Sequence, residues 1–239
     1  MDVFKSVEGQ WRLFQVLNDD VEQALRYVEA DDTQYHRRAS VRAMFAAIEG
    51  TVYLIKQSAL HEPDARFTAA ELALLREEAY TLDSRGQVKK QPKFLPLDLN
   101  YRFALEMYAK RMYPNLKLEL GDGGWEAFKQ AIEIRHRLTH PKHIDTITVS
   151  DEEFKVLKRG YEWFYGAFFN TLLQVAQHLH QEVGKIKEAA EARAAGSGGT
   201  TSLTEAIRER TESPGQKPQE AESAPKQGQD PEHPQAPGK

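Results

Sequence analysis

Apolar residues recur every three or four positions through most of the chain, which is the repeat of an α-helix. Across residues 4–30, Trp11, Phe14, Leu17, Val21, Leu25 and Val28 keep that spacing. A second helix is expected over residues 33–60, where Val41, Phe45, Ile48, Val52, Ile55 and Ala59 step 4-3-4-3-4. That pattern makes one continuous stripe for burial. Pro63 ends it. Thr68-Ala-Ala-Glu71 has the spacing of a capping box, in which hydroxyl and carboxylate satisfy opposing backbone amides. It predicts a short helix over residues 69–82, followed by a loop over 83–95 that holds Gly86 and Pro92.

Leu99, Phe103 and Met107, with Ala109 or Lys110, track one side of a further predicted helix, residues 97–112. Gly121-Asp-Gly-Gly then breaks the pattern. Trp125, Phe128, Ile132 and Leu138 mark a helix over 124–139, which Pro141 stops while biasing His140 away from helical dihedrals. Residues 144–149 alternate apolar and polar and are expected to be extended. Ser150-Asp-Glu-Glu153 is a second capping box, opening the longest helix, residues 151–193. Its buried side is expected to carry Phe154, Leu157, Tyr161, Phe164, Phe168, Val175 and Leu179. No long segment reads as strand. The expected fold is all-α, an antiparallel helix bundle.

Composition changes near Ala195. From Gly196 the chain runs Gly-Ser-Gly-Gly-Thr-Thr and then turns rich in Pro, Gln, Glu and Lys, with no aromatic residue. Such a segment cannot bury enough apolar area to offset its ordering entropy, so a disordered C-terminal tail is expected. The expected organisation is therefore a helical domain over 1–193 and a tail over 194–239.

Charge and cysteine content narrow the function classes. The formal net charge of -4 does not suggest a bulk polyanion binder. Arg85, Lys89, Lys90, Lys93, Arg102, Lys110, Arg111 and Lys117 nevertheless crowd one stretch against only Asp98 and Glu106. A solvated loop and helix face accounts for them, and a local basic surface is the alternative. The chain has no cysteine, which excludes disulfides, thiolate metal sites and thiol nucleophiles. No apolar run approaches the roughly 20 residues of a membrane span, and no secretory signal is read at the N-terminus. The cytoplasm is the expected location, with no membrane partner.

Chemistry concentrates in residues 132–142, Ile-Glu-Ile-Arg-His-Arg-Leu-Thr-His-Pro-Lys. Arg135, His136, Arg137 and His140 sit together at a helix C-terminus, where the partial negative charge of the last carbonyls favours cations. His136 and His140 share a helix face, whereas Arg135 and His140 are about 140° apart around an ideal helix. The Arg135 side chain is long enough to make up that separation where the helix ends.

Arg135-x4-His140 near a helix end, preceded by a long helical hairpin and followed by a long amphipathic helix, resembles the Arg-x4–6-His signature of the HEPN superfamily. The resemblance covers roughly residues 33–193; His136 stands where Asn often follows the arginine. It implies a metal-independent endoribonuclease that needs no cofactor, acts on RNA and works as a homodimer with motifs meeting at the interface. A toxin or phage-defence setting, with a possible cognate antitoxin, goes with it by analogy. Non-catalytic members imply the alternative, a helical interaction or RNA-binding module.

Under that resemblance the RNA's own 2′-hydroxyl attacks the adjacent phosphorus and leaves a 2′,3′-cyclic phosphate. An imidazole ordinarily titrates near ~6.5, so His140 suits proton exchange at neutral pH. The planar cation of Arg135 suits a non-bridging phosphate oxygen as charge accumulates. One imidazole does not readily serve both attacking and leaving oxygens, so a second copy's His140 is expected, or else His136. Family members often place an acidic residue opposite the pair, and Glu49 in Ala-Ala-Ile-Glu-Gly matches. Its expected role is to orient His140 or Arg135; an ordinary salt-bridged glutamate is the plain alternative. Arg137, Lys142 and Arg42 are candidates for holding the RNA backbone.

Other chemistries fit less well. His136, His140 and His143 have ligand-like spacing, but there is no His-Glu-x-x-His sequence and Pro141 intervenes, so no metal site is expected. The aromatic group Tyr161, Trp163, Phe164, Tyr165, Phe168 and Phe169 has the residues to stack bases, although its spacing is that of bundle core or a dimer seam.

Overall fold

The computed structural model describes residues 3–60, 66–118, 120–121 and 123–196, with side chains described for 8–194 of these. Residues 197–239 of the expected tail lie outside them, and residues 194–196 continue the last helix. The fold is all-α apart from one two-stranded ribbon. The chain divides into two compact units, Met1–Lys185 and Ile186–Lys239; the end of the last helix belongs to the second, and everything else described below to the first.

Helices α1 (Val3–Ala30) and α2 (Gln34–Leu60) form the opening hairpin. Thr33 caps the start of α2: its Oγ1 accepts from the His36 N–H at 3.2 Å. Ser40 Oγ then donates to Ala24 O across the pair, at 3.0 Å. The apolar stripe of α2 is as read. Val41, Phe45, Ile48, Val52, Ile55 and Ala59 are all buried, facing α1, α4 and α5. Burying each of these larger side chains contributes about 1.5–3 kcal/mol, which is why α2 is the axis of the bundle.

The capping box at Thr68 forms as expected, but α3 (Ala69–Leu75) stops about two turns later instead of reaching Leu82. Glu77 adopts a left-handed φ of 57°, which reverses the chain. Residues expected as helix and loop then pair as an antiparallel ribbon, β1 (Glu78–Leu82) with β2 (Val88–Pro92), in register Glu78↔Pro92 to Leu82↔Val88. Its turn is closed by Asp83 Oδ1, which accepts from the N–H groups of Arg85 and Gln87, and by Gly86 at φ 73°. The ribbon is rooted by Lys56, which is 1% exposed and donates to Glu77 Oε1 at 2.9 Å and Asn100 Oδ1 at 3.1 Å.

Helix α4 (Leu97–Met112) buries Tyr101, Ala104, Leu105, Met107 and Ala109, whereas Leu99, expected on the inner side, is 55% exposed. Helix α5 (Gly123–Thr139) follows, then a 3-10 turn (Ile144–Ile147) where an extended segment was expected, then α6 (Asp151–Gly196). Ser150 and Glu153 form the second capping box, exchanging backbone bonds at 3.2 and 3.0 Å. Helices α1 and α6 run antiparallel: Tyr161 bonds Asn18 while Phe14, one turn earlier, meets Tyr165 and Phe168. The inner side of α6 is as expected except at Leu179, which is 44% exposed. Gly160 lets α6 approach α5, since a Cβ there would lie 3.0 Å from Ala127 O and Phe128 Cα. Among the described residues no helix is long and apolar enough to cross a membrane.

Candidate functional site

Helix α5 is fixed on three sides before its polar end is reached. Phe128, Ala131, Ile132 and Ile134 are buried in the core. Beyond it, Arg137 fastens the following turn: Nη1 donates to Thr146 O at 2.7 Å and Thr148 O at 2.9 Å, and Nη2 to Glu153 Oε1 at 2.6 Å. Expected to hold substrate, this side chain instead ties the α5 end to the start of α6.

A second arginine anchors the same junction from α2. The Arg37 guanidinium, 11% exposed, donates to Asp32, to Asp151 and to Val149 O. The hydrogen bonds it donates to Asp32 first, and then to Asp151, raise its pKa above the ordinary arginine value. The Asp32 carboxyl is held below its usual range by the same bond. Beside it the Gln34 amide pairs with both the N–H and the C=O of Val149, at 2.8 and 2.9 Å.

Held in this way, α5 lies antiparallel along α2, and a groove of about 160 Å³ opens between them. Arg38, Arg42, Phe45, Ala46 and Glu49 line one wall, Arg135, Leu138 and Thr139 the other, with Val41 also contributing. Arg135 Nη2 donates to Glu49 Oε1 at 2.6 Å, with the two side chains 29% and 47% exposed. The guanidinium carbon also stands 5.9 Å from the centre of the Phe45 ring. Arg135 is thus a positioned cation with solvent access, and the pairing with Glu49 expected from the sequence is present. Arg42 lines the groove as well. Arg38, which sequence reasoning missed, shares its face of α2 one turn before Arg42, and its Nη1 reaches Ile147 O at 3.3 Å. That i, i+4 spacing was the available signal.

His140 is not part of the lining. Its N–H still bonds His136 O at 3.1 Å, so it continues the course of the helix one residue past Thr139. Thr139 Oγ1 donates back to Arg135 O and His136 O. Hence the angular offset between positions 135 and 140 is largely retained, and among the described residues no hydrogen bond joins their side chains. His136, His140, Lys142 and His143 are all exposed. No three His, Asp or Glu side chains among the described residues are gathered as a metal site. Of the aromatic group of α6, Phe164 and Tyr165 are buried, with the Tyr101 hydroxyl donating to Phe164 O at 2.7 Å, whereas Phe169 is 50% exposed.

Chemically, the groove offers three arginines against one carboxylate and an apolar floor of Val41, Phe45 and Ala46; no imidazole lines it. It is suited to an extended anion. Comparison with known proteins finds no matching family model, no matching curated protein and no matching solved structure.

Proposed function

We propose that this chain is a metal-independent endoribonuclease of the HEPN kind, with the α2–α5 groove as its phosphodiester site. The observation that supports the reading is a groove lined by Arg38, Arg42 and Arg135, with exposed His140 one residue beyond its wall. In this reading Arg135 and Arg42 hold the phosphate, and Glu49 keeps the Arg135 guanidinium from collapsing onto other acceptors. His140 takes the proton from the 2′-hydroxyl as its oxygen bonds to phosphorus. The bond to the 5′-oxygen breaks, that oxygen accepts a proton from a second imidazole, and a 2′,3′-cyclic phosphate remains. His140 of a second copy supplies that imidazole, with His136 as the alternative. The analogous biological setting is toxin or phage-defence activity, with a cognate antitoxin as its natural partner.

A second reading is an RNA-binding or interaction module without catalysis. It is favoured by one observation: His140 lies outside the groove while Arg135 is engaged with Glu49. Incubation of the purified protein with total RNA in chelator separates the two. The nuclease reading expects fragments ending in 2′,3′-cyclic phosphate that disappear with His140→Ala. RNA that is retained but uncut selects the binding module.

A further inference from the structure

The exposed face of α2 has a composition that a merely solvated face does not need. Tyr35, Arg42, Ala46, Glu49 and Tyr53 are its exposed positions, and Arg38 is half-buried beside them. At about 100° per residue these six side chains fall within a wedge of about 80° around the helix. From Tyr35 to Tyr53 the wedge is about 27 Å long at ~1.5 Å per residue. The groove occupies its middle, and a tyrosine stands at each end.

Those tyrosines are 67% and 50% exposed. Tyr35 meets the His36 ring edge-on at 5.5 Å, and His36 is itself stacked on Tyr27. Lysine or glutamate would serve solvation better. Tyrosine and arginine instead share one property, a flat polarisable group that stacks on a nucleobase. Ala46 in the centre keeps the floor low between Arg42 and Glu49, so a backbone can pass.

We infer that this wedge of α2 is a track for single-stranded RNA, with bases stacking on Tyr35 and Tyr53 to either side of a phosphate held at Arg42 and Arg135. The inference rests on the proposed nuclease reading and names the form of its substrate. At ~3.4 Å per stacked nucleotide the track holds about eight, fewer where the strand is stretched. Base pairing would hide the faces that the tyrosines use, so a duplex is a poor ligand. The rival occupant is the same face of a second copy. Pairing along the whole face is disfavoured because Arg38, Arg42 and Arg135 outnumber Glu49 and the face would meet its own excess charge; the second copy of the nuclease reading has to bring only His140, which lies outside the groove.

The test uses an RNA octamer with every 2′-hydroxyl methylated, which cannot be cleaved, and with 2-aminopurine placed near either end. Binding is read by fluorescence anisotropy in chelator and stacking by 2-aminopurine quenching, on the full chain. Tyr35→Ala and Tyr53→Ala should each weaken binding roughly five- to hundredfold and relieve quenching at one end. Tyr35→Phe and Tyr53→Phe should restore both, and the octamer annealed to its complement should bind much more weakly than the single strand. Wild-type affinity in both alanine variants, or equal binding of single strand and duplex, overturns the track. Loss of a homodimer in the tyrosine variants, with no binding of the octamer by the wild type, assigns the face to a second copy. If wild type cleaves RNA in a His140-dependent way while the tyrosine variants bind as it does, the track falls and the nuclease reading stands. If wild type neither binds nor cleaves, both fall.

Discussion

Arg135 on α5 and Glu49 on α2 meet at 2.6 Å, across 86 positions of the chain, at the wall of a groove that Arg42 also lines. Both side chains keep contact with water, so the pair is worth little to folding and its effect falls on the charge of the groove. Glu49→Gln should change the unfolding free energy by less than about 1 kcal/mol. The same change should tighten binding of an uncleavable RNA, because one negative charge leaves the groove, and should slow cleavage, because Arg135 is no longer held. Urea unfolding, anisotropy and a cleavage assay read the three effects separately. A loss of both stability and binding would show that the pair is structural instead.

Arg37 answers the question of what fixes the α5–α6 junction. Its side chain is nearly buried and satisfies Asp32, Asp151 and Val149 O together. Arg37→Ala leaves the Val149 carbonyl with the Gln34 amide alone and removes the ion pair that ties α2 to the start of α6. The expected cost is about 2–3 kcal/mol in urea unfolding, typical of lost hydrogen bonds to a charged group. Arg37→Lys should recover only part of it, since an ammonium cannot span three acceptors in one plane.

Lys56 couples the ribbon to the bundle. Lys56→Met keeps the apolar stem of a side chain that is 1% exposed while removing both bonds to Glu77 and Asn100. The Glu77 carboxylate, 39% exposed, can turn to water. The bundle should therefore hold within roughly 1–2 kcal/mol of the wild type. Amide exchange in residues 78–92 should accelerate while α2 stays protected. Uniform acceleration would mean that Lys56 supports the core itself.

Stability should fall on both sides of a broad plateau. Glu71 is held below its ordinary value near 4.5 by Lys110 and by Thr68, and Glu78 by Lys90 and Tyr80. A depressed carboxyl contributes stability above its unfolded pKa, and that contribution disappears as pH falls through the folded value. Loss is therefore expected below about pH 4.5. Tyr101, Tyr161 and Tyr165 are raised above their ordinary 10 by burial, so the unfolded chain ionises first and stability declines above pH 10. Urea midpoints from pH 3 to 11 check both edges. A midpoint that peaks at pH 4 would contradict the carboxylate assignments.

The helices were legible because their apolar residues repeat at helical spacing and end at caps. The α2 stripe and both capping boxes are where they were expected. The ribbon was not legible, and the reason is physical. Tyr80, Leu82, Val88 and their neighbours in β1 and β2 cover no core, so no two-residue apolar alternation marks them. Glu77 adds a left-handed turn at a residue type that carries no glycine signal. In the site, the placing of Glu49 opposite Arg135 followed from the Arg-x4-His resemblance. The internal use of Arg137 did not, because two of its acceptors are the backbone carbonyls of Thr146 and Thr148, in a turn whose shape no side-chain pattern announces.

The most direct measurement uses an all-deoxy octamer containing a single ribonucleotide, incubated in chelator with wild type, Arg135→Gln and His140→Ala, and analysed by mass spectrometry. The account predicts cutting only after the one ribose, a 2′,3′-cyclic phosphate on the product, and a loss of at least roughly a hundredfold in rate in each variant. An intact oligomer with the wild type bound to it, or equal cutting by all three proteins, would contradict it.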